Sequence, residues 1–224
     1  MLNIFCGFDQ REAPGYHVFS QSVLHRSSIP VAFTPLAANG LPQGTNAFTL
    51  SRFLVPYIMG YRGRAVFADA ADMICLGDVR ELQDMLDAMD GMHAVMVVKH
   101  NYNTRNPRKY VGTPMENENL DYERKNWASL MLIDCENPFW KRVNPEYLQK
   151  TTPLSMLQFK WIPDSFIGDV PKEWNVLADE GQSITGAKIL HWTAGIPAFK
   201  YYENAPGADL WREEWKKTTY LFHT

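Results

Sequence analysis

Two aspartates, Asp69 and Asp72, directly follow the apolar run 65–68 and are separated by two alanines. A run of this kind predicts a buried strand, and in open α/β sheets ligands bind beyond the carboxyl ends of the strands. Two carboxylates on one turn can bind a single divalent cation, with phosphate oxygens in the remaining coordination positions. The alternative is structural, with one aspartate capping the turn and the other exposed to solvent. The spacing alone leaves both interpretations open.

The elements that must position this pair alternate between strands and helices in the first half of the chain. Apolar runs predict strands at 2–8, 31–33, 64–68, 94–99, 129–133 and 187–191. Helical stripes predict helices after residue 12, over 48–59, from residue 78 and over 208–217. In the second of these, Pro56 is expected to kink the helix or to end its first part. Asp78 and Glu81 form a predicted capping box, and Asn137 with Pro138 a further helix start. This alternation predicts an α/β fold with a mostly parallel, mixed central sheet flanked by helices.

Composition excludes several classes of protein. The 224 residues contain 22 Lys and Arg against 25 Asp and Glu, so no basic surplus exists for binding nucleic acid or an anionic membrane. No apolar run approaches the roughly 18 residues of a membrane-spanning helix. The N-terminus lacks the basic segment of a signal peptide. Cys6, Cys75 and Cys135 lie far apart in apolar stretches, as reduced, buried cysteines do. We therefore predict a cytoplasmic protein without a transmembrane segment.

The residues around the aspartate pair resemble a known family. Segments 51–56, 60–61, 64–72, 76–79 and 81–82 are similar, in order and spacing, to the donor-binding stretch of family 8 glycosyltransferases. In that stretch an arginine-bearing helix precedes a strand that ends in an Asp-x-Asp metal motif. Here two residues, not one, separate the acids. We interpret this as a one-residue insertion that keeps Asp69 and Asp72 as metal ligands, the alternative being that only one of them binds.

The resemblance implies an architecture for the whole chain. Members of the family have the GT-A fold, the fold of nucleotide-diphospho-sugar transferases. We therefore expect residues 1–224 to form one GT-A-like domain. Residues 1–100 would be its nucleotide- and metal-binding half, and residues 101–224 its sugar- and acceptor-binding half.

A histidine in the second half completes the predicted metal site. His191 ends the apolar run 187–190 and opens the segment 191–197. This segment is similar to the family segment in which a strand delivers the third metal ligand. Taken alone, a histidine after a strand is more often a core or turn residue than a ligand. An imidazole beside two carboxylates favours Mn²⁺, because nitrogen is a softer donor than oxygen, and Mg²⁺ is the alternative ion.

The same segment departs from the family at one functional position. Ile196 stands where the family has a lysine that contacts the leaving diphosphate. Lys188, Lys200 or Arg52 could take over that role, or the metal could act without it. The sequence leaves these alternatives open.

The resemblance also implies residues that bind the nucleotide sugar. The first strand ends at the position where the family binds uridine, although Asp9 there is equally well explained as a helix cap. The implied residues are Gly7, Phe8, Asp9, Arg52, Asp69, Asn126, Trp127, Ser129, Asp164, Trp174, Asn175 and Gly195. No catalytic residue is assigned, and the candidates are Arg52, Asn126 and Asp164. Glycine-rich dinucleotide and P-loop motifs are absent from the sequence.

All seven tryptophans lie in the second half, between Trp127 and Trp215. Aromatic rings suit the C–H-rich face of a sugar. The predicted sugar contacts are Trp127, Trp174 and Trp192. The predicted core residues are Trp140, Trp211 and Trp215, while Trp161 is left open.

The activity implied by the resemblance is the metal-dependent transfer of a hexose from a UDP-sugar to a hydroxyl of a carbohydrate-type acceptor. Family 8 enzymes are retaining, so retention is implied too. One alternative is a metal-dependent nucleotidyltransferase or nucleotide-sugar hydrolase, since both also use paired acids. Another is a non-catalytic sugar-binding protein of the same fold, which the isoleucine at position 196 keeps open. The donor sugar, the acceptor and the oligomeric state are left open.

Overall fold

The computed structural model describes residues 1–37, 40–42, 44 and 46–218. Its α-helices are α1 (Ala13–Arg26), α2 (Val55–Ile58), α3 (Arg80–Asp87), α4 (Pro145–Gln149), α5 (Pro153–Leu157) and α6 (Ala208–Thr218). Its strands are β1 (Leu2–Gly7), β2 (Val31–Leu36), β3 (Arg64–Ala68), β4 (Met73–Cys75), β5 (Val95–Val97), β6 (Arg108–Lys109), β7 (Asn117–Glu118), β8 (Leu130–Asp134), β9 (Ile167–Asp169), β10 (Val176–Leu177) and β11 (Ile189–His191). Short 3₁₀ turns connect many of these elements.

The central sheet has six strands in the order β2-β1-β3-β8-β5-β9. Strands β1, β2 and β3 are parallel, as are β5 and β9, whereas β8 runs antiparallel to both β3 and β5. Two smaller sheets are formed by the strands β10-β11-β4 and by the hairpin β6-β7. The predicted mixed, largely parallel sheet is confirmed.

Both faces of the central sheet are covered, which explains its continuous apolar strands. On β1, Phe5 joins one hydrophobic cluster with Trp140 and Phe159. Its neighbour Ile4 points the other way, because side chains alternate along a strand, and joins a second cluster with Phe19 of α1. The three cysteines are buried and free, as predicted.

A local pairing brings the two halves of the predicted metal site together. Strand β4 begins directly after Asp72 and runs antiparallel to β11, with Met73 opposite His191. The backbone amide of Trp192 donates to the carbonyl of Asp72 at 2.9 Å. The acidic turn and the end of β11 are therefore fixed to each other by main-chain bonds.

Two predicted helix features are wrong. Residues 51–54 form a 3₁₀ turn and only Val55–Ile58 are α-helical, because Pro56 has no amide hydrogen to continue a longer helix. The capping box at the start of α3 is absent. Asp78 instead accepts from the amides of Ser28 and Arg80, and the carboxylate of Glu81 pairs with Lys188.

Two other helix predictions hold. Asn137 caps the 3₁₀ helix Pro138–Arg142 by accepting from the amide of Phe139 at 3.2 Å, and α6 lies where the stripe predicted it. Within the described residues, none of the helices has both the length and the hydrophobicity needed to cross a bilayer.

Candidate functional site

The acidic turn after β3 is held in place by backbone contacts. The amide of Asp69 donates to the carbonyl of Ser129 at 2.8 Å, which anchors the turn to the start of β8. Ala70 has a positive φ of 55°, so the chain reverses sharply between the two acids. Gly15 of α1 lies against this turn, and a Cβ there would be 1.7 Å from the carbonyl oxygen of Ala71. The helix can approach the turn only because this residue is glycine.

Three side chains converge at this point. Ligand atoms of Asp69, Asp72 and His191 all lie within 4.8 Å of one another, and all three residues are buried. Nε2 of His191 is 3.4 Å from Oδ1 of Asp72. That Asp72 oxygen is buried and has no hydrogen-bond partner in the structure. A buried carboxylate oxygen left in this way is what a cation site needs, since a bound cation would compensate its charge.

A chain of hydrogen bonds orients the imidazole of His191. The hydroxyl of Ser129 donates to the carbonyl of Asn126 at 2.6 Å, so it accepts from Nδ2 of Asn175 at 2.8 Å. Oδ1 of Asn175 therefore faces Nδ1 of His191, at 3.0 Å, and accepts its proton. This leaves Nε2, on the side of Asp72, as the ring atom that can bind a metal.

Arg52 neutralises part of the acidic charge. Its Nη1 lies 2.7 Å from Oδ1 of Asp69 and donates to the carbonyl of Ala128 at 2.8 Å. Its Nε donates to the carbonyl of Thr49 at 3.1 Å. The guanidinium also lies over the rings of Phe48 and Phe67, 5.3 and 5.2 Å from their centroids. Arg52 is thus a buried structural partner of Asp69 with most of its donors already engaged.

Burial and like charge shift the proton affinities of the site. Burial raises the pKa of Asp69 to about 6, against the opposing effect of Arg52, and Asp72 adds to the rise. Burial opposes charging of His191, but the carboxylates of Asp72 and Asp69 outweigh it and raise the pKa of the imidazole. Glu12 is fully buried, and neither of its carboxylate oxygens has a hydrogen-bond partner. Burial, followed by repulsion from Asp72 and Asp9, raises its pKa well above the usual range.

The acids and His191 line a small polar cavity. Its volume is about 80 Å³, well below the roughly 300–1,000 Å³ of sites that hold small molecules. The other lining residues are Asn46, Thr49, Arg52, Lys109, Tyr110, Tyr122, Asn126, Ala128, Ser129 and Leu157. A ligand larger than a few atoms therefore needs part of this lining to move.

Residues 104–119, here called the cover segment, supply the outer wall of the cavity. Within it the amide of Tyr110 donates to the carbonyl of Ala194 at 2.6 Å. The hydroxyl of Tyr110 accepts from Nδ2 of Asn46 at 3.2 Å, and the amide of Val111 donates to the hydroxyl of Tyr202 at 2.9 Å. These bonds attach the cover segment next to His191. Its ends are also held, because Arg105 and Asn106 donate to Glu180 and Asp179, and Lys125 donates to Thr104 and Asn119.

The uridine-binding residues predicted at the end of β1 have structural partners. A Cβ on Gly7 would be 2.5 Å from the ring of Phe48, so packing alone requires glycine there. Phe8 makes an edge-to-face contact with Tyr16. Asp9 caps the turn Gln10–Glu12, pairs with Arg11 and accepts from the amide of Ala47 at 3.1 Å. The capping interpretation of Asp9 is therefore confirmed.

The predicted residues of the second half are only partly brought together. Asn126 and Ser129 line the cavity, while Asn175 lies behind His191. Gly195 follows the attachment point of the cover segment at Ala194. Asp164 is highly exposed and pairs with Arg124 at 2.6 Å, away from the cavity lining. The structure does not place Asp164 with the other candidates.

The tryptophans divide differently from the prediction. Trp174 and Trp192 are completely buried in hydrophobic clusters, so neither ring offers a face to a sugar. Trp127 is half-buried, with its Nε1 donating to the carbonyl of His100 and the guanidinium of Arg124 over its ring. Trp140, Trp211 and Trp215 belong to the core or pack against it, as predicted. Trp161, which the sequence left open, also belongs to the core.

Several site residues escaped sequence reasoning. Lys109 and Tyr110 lie in a polar segment without periodicity, and Asp179 lies in an irregular connection. Asp179 accepts from the backbone amides of Thr193 and Ala194, at 3.1 and 2.6 Å, and so holds the chain directly after His191. Burial raises its pKa. Nothing local in the sequence marks these residues, because their partners are distant along the chain.

A comparison with known proteins places the chain in a family. Protein CDI of Arabidopsis thaliana is 34% identical over 235 residues, which cover 95% of this chain and 85% of the plant protein. The chain belongs to the CDI family. No model of a protein family matches the chain.

Solved structures establish the fold of this CDI-family chain. The bifunctional glycosyltransferase WbbM superposes with a TM-score of 0.67 at 14% identity, over 96% of this chain and 49% of that one. The galactosyltransferase LgtC, solved with donor and acceptor sugar analogs, gives 0.62 at 12% identity, over 96% of each chain. Mouse xyloside xylosyltransferase 1 superposes with a TM-score of 0.53 at 14% identity, over 88% of this chain and 99% of that one.

These likenesses confirm the GT-A fold expected from the family 8 resemblance. The chain spans about half the length of WbbM and nearly all of LgtC. The acids after β3 lie at the carboxyl edge of the sheet, where ligands of such folds bind.

Proposed function

We propose that this CDI-family protein is a metal-dependent glycosyltransferase. It would transfer a hexose from a UDP-sugar to a hydroxyl of a carbohydrate-type acceptor, with retention at the anomeric carbon. The observation that carries the proposal is the convergence of Asp69, Asp72 and His191 at the edge of a GT-A sheet.

The three side chains fit a divalent cation. Two carboxylates and one imidazole nitrogen are a donor set suited to Mn²⁺, with Mg²⁺ as the harder alternative. His191 presents Nε2 toward the acids because Asn175 holds the opposite ring nitrogen. When bound, the cation would supply Lewis-acid stabilisation of the charge on a diphosphate leaving group.

The surrounding residues have distinct tasks in this proposal. Arg52 holds Asp69 in position and offsets its charge. Asn126, with a positive φ of 63°, and Ser129 line the cavity and offer polar groups to the donor sugar. Trp127 keeps an accessible part of its ring beside Asn126 and is the tryptophan to test as a sugar contact. Residues 1–100 would thus bind nucleotide and metal, and residues 101–224 sugar and acceptor, apart from His191, which would be the third metal ligand.

The small volume of the cavity sets a condition on binding. A nucleotide sugar enters only if part of the lining moves. The part of the cover segment that lines the cavity, Lys109 and Tyr110, is attached next to the site by the bonds to Ala194, Tyr202 and Asn46. Each such hydrogen bond contributes only about 0.5–1.5 kcal/mol. Binding energy of a charged donor can offset this.

The proposal is tested by thermal unfolding with Mn²⁺ alone and with Mn²⁺ plus UDP. We expect UDP to raise the melting temperature further, because a ligand that binds only the folded state stabilises it. GDP and CMP serve as base controls. No shift beyond that of Mn²⁺ alone with any of them would contradict the donor site.

Turnover separates transfer from the alternatives. UDP-sugars incubated with Mn²⁺ and a panel of sugar acceptors should give a glycosylated product faster than free sugar. Equal rates of UDP-sugar turnover with and without an acceptor would indicate a hydrolase. Binding of sugar without a metal and without turnover would indicate a non-catalytic protein. The anomeric configuration of the product, read by NMR, checks retention.

A further inference from the structure

If the proposed function is right, the positive charges named so far do not offset the negative charge of a diphosphate in the candidate site. Asp69 and Asp72 together offset the charge of a divalent cation, which leaves the one positive charge of Arg52, the ion-pair partner of Asp69. A diphosphate that loses its sugar carries more than one negative charge. In a buried, weakly screened site this charge needs a further cation nearby.

The two lysines that the sequence suggested, Lys188 and Lys200, do not line the cavity. Ile196 is completely buried and apolar. Lys188 pairs with Glu81 at the start of α3. Lys200 is exposed, on a 3₁₀ turn whose residues do not line the cavity. Arg52 does line the cavity, but its Nε and Nη1 are bonded to backbone carbonyls and Nη1 also pairs with Asp69, so a second cation is still needed.

Lys109 is in a different position. It is half-buried at the end of β6 and lines the cavity together with Asp69, Asp72 and His191. Across the residues that the structure describes, no carboxylate lies within ion-pair distance of its ammonium group, whereas its neighbour Arg108 pairs with Glu116. Burial raises the pKa values of Asp69 and Asp179, and the positive charge of Lys109 opposes that rise at both carboxyl groups.

The backbone next to Lys109 is fixed beside the cavity that its side chain lines. Tyr110 has a positive φ of 55° and is bonded through its amide to Ala194, three residues after His191. The hairpin β6-β7 therefore places a lysine opposite the acids from a part of the chain far from both β3 and β11. Closure of the cover segment would bring this charge onto a bound anion.

We propose that Lys109 is the phosphate-binding lysine of this site. Its ammonium would contact the diphosphate of the donor and stabilise it as the leaving group, in place of the side chain missing at Ile196. The assignment rests on the proposed function for the identity of the nucleotide, but its chemistry requires only a metal-bound diphosphate.

The test compares ligand binding to the wild-type protein, Lys109→Met, Lys109→Arg and the control Lys200→Met. Titration calorimetry would use UDP, UMP and inorganic pyrophosphate, each with Mn²⁺. We expect Lys109→Met to weaken UDP and pyrophosphate by about tenfold or more, a loss of about 1.4 kcal/mol. UMP should change less, Lys109→Arg should retain most of the affinity, and Lys200→Met should match the wild type. Circular dichroism melts verify that each variant is folded.

The outcomes separate this inference from the proposed function. Equal affinity of Lys109→Met and wild type for UDP and pyrophosphate would overturn the assignment of Lys109. Lysine-dependent pyrophosphate binding without any UDP binding would support Lys109 and overturn the choice of nucleotide. Absence of Mn²⁺-dependent binding of either probe to the wild type would overturn both.

Discussion

Asn175 fixes His191 through a hydrogen bond of 3.0 Å between Oδ1 of the amide and Nδ1 of the imidazole. Both side chains are buried, and the amide is held on its other side by Ser129. The ring thus has one orientation, with Nε2 toward Asp72 and the proton of the neutral imidazole on Nδ1. Under the proposed function, this pair would contribute to metal affinity by orienting one of the ligands.

Replacing Asn175 tests that dependence directly. In Asn175→Ala the imidazole loses its acceptor, and we expect the affinity for Mn²⁺ to fall by roughly 10- to 100-fold. Titration calorimetry measures the change. Asn204→Ala, at an exposed position away from the cavity, is the matched control. Equal Mn²⁺ affinities for the two variants would show that the bond does not orient a ligand.

Removing Asp72 should separate binding from folding. Oδ1 of Asp72 has no hydrogen-bond partner, and the neighbouring carboxylates Asp69 and Glu12 repel it. We expect Asp72→Ala to abolish Mn²⁺-dependent UDP binding, with an unfolding temperature in metal-free buffer at least as high as that of wild type. Calorimetry and thermal melts measure both quantities. Retained UDP binding would mean that Asp72 is not a ligand.

Removing Arg52 should lower the free energy of unfolding. Arg52→Met leaves the buried carboxylate of Asp69 without its cation, and we expect a loss of about 3–5 kcal/mol in the free energy of unfolding. Urea titration measures it, with the exposed Arg62→Met as control.

The double variant Arg52→Met/Asp69→Asn isolates the ion pair. Because it removes the unpaired charge as well, it should lose less stability than the two single variants would predict by addition. Strict additivity would argue that the 2.7 Å contact between Arg52 and Asp69 carries no coupling energy.

Glu12 should make the folded state less stable as the pH rises. Burial and the neighbouring acids raise its pKa in the folded protein well above the ordinary value near 4.5. Between the two pKa values the folded state holds more protons than the unfolded chain, so stability decreases with increasing pH. Glu12→Gln removes this dependence.

Urea titrations at pH 5 and pH 7.5 test this effect. The stability gained by Glu12→Gln over wild type should be larger at the higher pH. The exposed Glu213→Gln should show no such difference. A gain for Glu12→Gln that is the same at both pH values would rule out a raised pKa for Glu12.

Patterns of neighbouring residues predicted several strands, one helix and the position of the acid pair. The continuous apolar runs of β1, β3 and β8 predicted their strands because burial on both faces selects apolar side chains at every position. The stripe of α6 predicted that helix for the same reason, with period 3.6. The acid pair after β3 was visible because a strand end and two carboxylates are adjacent in sequence.

Tertiary structure decided which residues meet. Asp72 and His191 are close because β4 pairs with β11, and no local pattern specifies that pairing. Trp174 was predicted at a sugar and lies in the core, since an aromatic ring in an irregular segment fits either place equally well. Lys109 lines the cavity because its segment is attached to distant parts of the chain, for example by the backbone bond between Tyr110 and Ala194. The sequence by itself therefore determined the longer apolar strands and the place of the acidic turn. The short strands, such as β4, and the rest of the site were decided by long-range pairing between partners that are distant along the chain.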